Sequence, residues 1–251
     1  MNRAVTLLLC LALGLVLLQG CAGKKASPTA NPVTADSADK PDDLAYEENG
    51  EPYPDSIEGF NRGVFSFNDG FITYVFSPID TVYTGFFPQD IRNGFGNFYR
   101  NLAYPIRLVN ALLQFKFDKM AKETGSFALN TVFGVGGLFN VTRNMPSLQA
   151  SPEDFSQTLA FYGLGSGSYV VLPIMGSTTV RDAVGTVADS FLHPLSLVTP
   201  DSARYGLIGH DKANTASANL PTYKNLKEES FDHYTSIKDA YFQYRRGLEQ
   251  E

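Results

Sequence analysis

The side chains best suited to covalent chemistry are two serines in a glycine-rich stretch, Ser166 and Ser168, and three histidines, His193, His210 and His233. A serine nucleophile needs a tight elbow with glycine two residues to either side, a base in reach and donors for the oxyanion. Neither serine has glycine on both sides at that spacing. His193 precedes Pro194, His210 sits in a polar turn and His233 lies on a charged terminal helix, and no two share the spacing of a zinc motif. Gly134-Val135-Gly136-Gly137 lacks the Lys-Ser/Thr pair of a phosphate loop. Glu153 and Asp154 follow Ser151-Pro152 at a strong helix start, with Ser151 as cap, and acids there meet the positive end of the helix dipole without any need for paired acid catalysis. The residues therefore propose no catalytic, metal or cofactor site, and the chain is expected not to be an enzyme.

Chemistry of another kind is written at the amino terminus. Arg3 precedes an apolar run from Ala4 to Leu18, followed by Leu18-Gln19-Gly20-Cys21. The run falls short of the roughly 20 apolar residues that a spanning helix needs, and small Gly20 stands where a signal peptidase cleaves. The order resembles bacterial lipoprotein signals, which implies a diacylglyceryl thioether on Cys21 and an acyl chain on its new amino terminus. Two or more chains anchor a protein stably. Ala22 follows Cys21, not the Asp that resembles an inner-membrane retention signal, so delivery to the outer membrane, on its periplasmic side, is expected. The other cysteine, Cys10, lies in the segment that is removed, so the mature chain has no disulfide and must be held by its core.

The expected organisation is a signal peptide, 1-20; a lipidated cysteine and disordered acidic linker, 21-55; and one helical domain, 56-251. The linker carries eight acids against Lys24, Lys25 and Lys40 and is rich in Pro, Ala and Ser. Beyond it the charges nearly balance, which gives no electrostatic reason to expect a nucleic-acid partner. The body reads as all-α, with helical periodicity broken by Gly and Pro and no Asn-Gly hairpin signal. Ile57, Phe60, Val64, Phe67, Phe71 and Val75 fall on one face of a first helix that Asp55 or Ser56 can cap and that Pro78 follows. Asp90 can cap a second helix ending before Pro105, and Pro105 suits the first turn of a third. That third helix is apolar nearly all round except for Arg107, Asn110 and Gln114, a polar stripe at steps of three and four. Two readings of the stripe stand side by side: polar groups satisfied by neighbours inside the wall, or the lining of a cavity. Asp118 can cap a further helix, Ser177 opens another through Val180, Val184 and Phe191, and Tyr234, Ile237, Tyr241, Tyr244 and Leu248 stripe the last. Of the 19 phenylalanines, 16 lie between Phe60 and Phe161, divided between a protein core and contact with acyl chains.

The ordered motifs are similar to those of the MlaA/VacJ family of outer-membrane lipoproteins. They begin with Ile57-Glu58-Gly59-Phe60-Asn61-Arg62 and Phe67-Asn68, and continue with Asn93-Gly94-Phe95-Gly96-Asn97-Phe98, Val109-Asn110, Leu113-Gln114 and Leu129-Asn130-Thr131. Gly134-Val135-Gly136-Gly137-Leu138-Phe139, Tyr162-Gly163-Leu164-Gly165, Arg181-Asp182 and Asp239-Ala240-Tyr241-Phe242-Gln243 complete the series over nearly all of Ser56 to Arg246. Ser168 departs from the resemblance, since the family commonly has Pro there. The resemblance implies a ring-like helical body in the inner leaflet, bound to trimeric porins, with a central amphipathic channel. Phospholipids misplaced in the outer leaflet would pass through it to a soluble periplasmic carrier. Arg107, Asn110 and Gln114 are the candidate channel residues. Rival expectations are a porin scaffold without lipid transfer and, more remotely, a lipid hydrolase.

Overall fold

The computed structural model describes residues 55–251. Cys21, the leader 1-20 and the linker up to residue 54 lie outside the described residues. Helix α1, Glu58–Phe71, passes through a π-helical turn, Ile72–Phe76, into α2, Ser77–Phe86. Contrary to the sequence expectation, Pro78 does not follow the end of this run; it occupies the first turn of α2, where its missing N–H is tolerated. Nor does Asp55 cap α1. Its carboxylate accepts from Asn61 Nδ2 at 2.7 Å and from the Tyr234 hydroxyl at 2.5 Å. Then come α3, Gln89–Leu102; α4, Tyr104–Leu113, with Pro105 in its first turn; and α5, Phe117–Val132. Asp90 and Asp118 lie in the first turns of α3 and α5 instead of at their caps.

Helix α6, Phe155–Phe161, is capped by Asp154, whose carboxylate accepts from Gln157 N at 2.8 Å, and not by Ser151. A β-hairpin follows, β1, Tyr169–Leu172, paired antiparallel with β2, Gly176–Thr179. The described body is helical as expected from sequence, with this two-stranded hairpin a small addition to it, and Ser177 belongs to β2 and opens no helix. Thr179 caps α7, Val180–Leu192, which leads to α8, Asp201–Glu229, and α9, His233–Gln250. His210 lies inside α8, not in a turn. Among the described residues no helix is long and apolar enough to cross a membrane.

The packing is turned inside out. On α1 the residues with no or little exposure are Asn61 and Asn68, whereas Phe60 is 61% and Phe67 56% exposed, and Ile57 and Val75 face out with them. On α7, Arg181, Asp182 and Gly185 are buried while Val180, Val184, Val187 and Phe191 are exposed. The buried apolar cluster is small: Tyr169, Val171, Tyr234 and Phe242, backed by Val64, Phe65 and Tyr241. Polar side chains thus supply much of what joins the helices, and each must find a partner, since a buried unpaired polar group costs more than the hydrogen bond returns.

Asn61 and Asn68 show how. Asn61 donates to Tyr169 O at 3.0 Å and accepts from Val171 N at 2.9 Å; Asn68 donates to Leu172 O at 2.9 Å and accepts from Ile174 N at 2.7 Å. Seven helical residues advance about 10.5 Å, close to the roughly 10 Å that three strand residues span, so two asparagines one heptad apart act on β1 as a third strand would. The second bond also holds Ile174 at φ 65°, a left-handed conformation that β-branched side chains resist. Replacing Asn61 with Leu leaves a buried donor and a buried acceptor unpaired, and thermal unfolding should record a loss of about 2–4 kcal/mol. A loss below about 1 kcal/mol would show that the amide does not complete this strand edge.

Candidate functional site

The helices enclose an open cavity of about 760 Å³. Helix α3 contributes Arg92, Tyr99 and Arg100, α4 contributes Ile106 and Arg107, and α8 contributes Asp211, Lys212 and Asn214. A second cavity of about 460 Å³ lies against the first and shares Ile106, His193, Asp211 and Lys212 with it. Volumes of several hundred cubic ångströms suit a bound small molecule or a lipid headgroup. His193 accepts from Leu195 N at 3.1 Å through Nδ1, and burial holds its pKa below the usual histidine range, so the wall between the cavities carries a neutral imidazole at neutral pH.

The polar stripe of α4 divides. Arg107 reaches the first cavity and pairs with Glu123 at 2.8 Å. Asn110 and Gln114 line neither cavity. Asn110 donates to Ile106 O and to Asp189 Oδ1, both at 2.9 Å, and accepts from Thr158 at 2.8 Å. Gln114 donates to Glu153 at 2.8 Å and to Thr158 at 3.2 Å. Glu153, expected to serve the helix dipole, is instead buried between Lys116 at 3.0 Å and Lys119 at 2.7 Å. Burial raises the pKa of Asp189, which meets only the neutral donors Asn110 and Phe155 N.

The other motif residues set the walls. Arg62 grips Asp232 with two nitrogens, at 2.7 and 3.2 Å, and stacks 4.4 Å over the Tyr234 ring, joining α1 to the start of α9. Gly134 admits no side chain, because a Cβ there would collide with the carbonyls of Asn130 and Phe139. Gly136 and Gly137 carry positive φ in the same turn, packed against Asn101, while Val135 and Phe139 project outward. Gly163 ends α6 at φ 85°, and the loop that includes Gly165 is held by Arg181, which donates to Leu164 O at 3.1 Å. Asp182 accepts from Ser156, Tyr241 and Arg245, and Arg245 also holds Asp154 at 2.6 Å. Among the described residues no three His, Cys, Asp or Glu side chains form a metal cluster. Ser166 donates to Gly167 O and Ser168 lies 3.4 Å from the Ser56 hydroxyl, and among the described residues neither hydrogen-bonds a histidine.

Sequence reasoning named Arg107 but missed the other cations of the cavity. Arg92, Arg100 and Arg107 are the only bases between Arg62 and Lys116, and their isolation in a neutral stretch was the available signal. What remained hidden was Arg143 and Lys212, brought to the same space from distant segments.

The arrangement can take a polar group inside while its outer surface exposes apolar side chains. The chain is similar to known proteins. A family model described as MlaA lipoprotein matches residues 53–248. The intermembrane phospholipid transport system lipoprotein MlaA of Escherichia coli K12 is 35% identical over 238 residues, 93% of this chain and 84% of that one. The protein of the same name from Haemophilus influenzae is 30% identical over 192 residues, 75% of this chain and 76% of that one. A solved structure concerned with the maintenance of bacterial outer membrane lipid asymmetry superposes with a TM-score of 0.67 at 35% identity, over 76% of this chain and 96% of that chain.

Proposed function

The chain belongs to the MlaA lipoprotein family, and from that premise we propose that it transports phospholipids at the outer membrane and so maintains the asymmetry of that bilayer. The observation that carries the reading is the inverted packing: exposed Phe, Val and Leu on the outer faces and a charged cavity within. Moving an acyl chain through water costs about 0.8 kcal/mol per exposed methylene, so a lipid path needs apolar walls, and the headgroup needs a wet interior. In this reading the exposed faces of α1 and α7 meet acyl chains, and the headgroup passes the cavity beside Arg107 on its way from the outer leaflet. Asn110 and Gln114 hold the wall through which Arg107 projects. Acyl chains on Cys21 keep the body on the periplasmic side, a trimeric porin seats it, and a soluble periplasmic carrier receives the lipid. No covalent chemistry on the lipid is involved.

The test is reconstitution of the acylated protein in phospholipid vesicles with a soluble lipid carrier, scoring labelled lipid handed over. Transfer that depends on the protein is the expected result. Released fatty acid would identify a hydrolase instead. Porin binding without transfer would identify a scaffold.

A further inference from the structure

The walls of the larger cavity are not neutral. Arg92, Arg100, Arg107, Arg143 and Lys212 face it, and Asp211 is the one carboxylate among its lining residues. Of these cations only Arg107 is paired off, with Glu123. Arg100, Arg143 and Lys212 make no ion pair among the described residues. Arg92 is bound only by neutral acceptors, Phe87 O at 3.1 Å, Gln89 Oε1 at 2.6 Å and Ser217 Oγ at 3.0 Å. Elsewhere in the body the pattern is opposite. Arg62, Arg181, Arg245, Lys116, Lys119 and Lys227 all have carboxylate partners. A concave wall of like charges without counter-charges concentrates anions, and guanidinium groups match phosphate oxygens in pairs.

Resting on the transport reading above, we propose that this cavity selects the headgroup: it binds a glycerophospholipid through its phosphate and favours lipids whose headgroup is net anionic over those that add an ammonium. The phosphate is common to both classes. What differs is the terminal group, because a glycerol enters a cationic cavity without opposition whereas an ethanolamine ammonium meets charges of its own sign. Asp211 alone does not offset them. In the neighbouring cavity Arg245 already occupies Asp154 and Asp182, and Asp189 is taken up by the neutral donors Asn110 and Phe155 N, with burial working against its charge.

The full-length acylated protein, incubated with vesicles containing equal amounts of labelled phosphatidylglycerol and phosphatidylethanolamine and then recovered in detergent, reports which lipid it retains. Phosphatidylglycerol should be favoured by roughly tenfold at low salt, the combined strength of about two solvated ion pairs of ordinary size. Arg100→Gln combined with Arg143→Gln, both exposed and unpaired, should bring the ratio close to one, while Lys122→Gln, outside the cavity, should leave it unchanged. In case the double variant does not fold, salt gives an independent measurement on the unaltered protein. Near 1 M, where the screening length is about 3 Å, the preference should collapse. Equal retention at low salt, or a preference indifferent to both the variant and salt, overturns the headgroup inference and leaves transport standing. Retention of neither lipid overturns both. Inorganic phosphate displacing phosphatidylglycerol at comparable concentration would assign the cations to free phosphate and overturn the lipid assignment.

Discussion

Arg245→Met should lower folding stability by about 3 kcal/mol at neutral pH, the cost of taking from buried Asp182 and half-buried Asp154 the guanidinium that joins them, with Arg181 left as the more distant charge beside Asp182. Arg245 Nη1 lies 2.6 Å from Asp154 and Nη2 3.2 Å from Asp182, while its Nε lies 3.1 Å from the other Asp182 oxygen without making a hydrogen bond. Burial opposes the charge on Arg245, but the hydrogen bond to Asp154 and the charges of Asp154 and Asp182 more than offset it and raise its pKa. Burial likewise pushes Asp182 up, yet hydrogen bonds from Ser156 and Tyr241, with the charges of Arg245 and Arg181, hold it below the ordinary carboxylate range. A carboxyl whose folded pKa is depressed adds stability above its unfolded pKa of about 3.9 and loses it as pH falls through the folded value. The unaltered protein should therefore lose this contribution only below about pH 4. In Arg245→Met the gap to the unaltered protein should be widest near neutrality and narrow as acid neutralises Asp182. Adding Asp182→Asn should recover part of the loss, since it removes the stranded charge. Urea unfolding at neutral and acid pH measures all three. A loss independent of pH and of Asp182 would refute the electrostatic account.

The second large effect concerns the membrane. Phe60→Ser with Phe67→Ser should leave the unfolding midpoint nearly unchanged, because both rings already face outward. Transfer of a whole Phe into hydrocarbon is worth about 1.5–3 kcal/mol, and these two are somewhat over half exposed, so the pair should contribute roughly 3 kcal/mol, on the order of a hundredfold in partition. Vesicle flotation in a Cys21→Ala background isolates this term from any acyl anchor. Unchanged flotation would mean that α1 does not face lipid. A large fall in stability would mean that the rings are core after all.

Hydrophobic spacing made α1 and α9 legible, and Pro105 announced α4, because periodicity and proline geometry are local properties of the chain. What spacing cannot say is which medium an apolar face meets. The Phe60 and Phe67 stripe was legible as a face, and its outward orientation was not, since an amphipathic helix has the same pattern whether oil lies inside the protein or outside it. Helix α8 escaped notice because Gly206, Gly209 and Pro221 break its pattern and no apolar stripe runs along it. The hairpin was hidden because Pro173-Ile174-Met175 has no hairpin turn signature and its register depends on amides from α1. Asn110 and Gln114 were recognised as exceptional. Their partners, Glu153, Thr158 and Asp189, lie some 40 to 80 positions away, so the choice between wall and lining required the fold.

The amides of Asn61 and Asn68 also bear on export. On the transport reading proposed above, a chain with so much outward-facing hydrocarbon crosses an aqueous compartment before it reaches a bilayer, and an open strand edge there would template sticking between copies. By occupying the β1 edge with side chains in place of a backbone neighbour, the molecule denies passing copies a place to zip on along that strand.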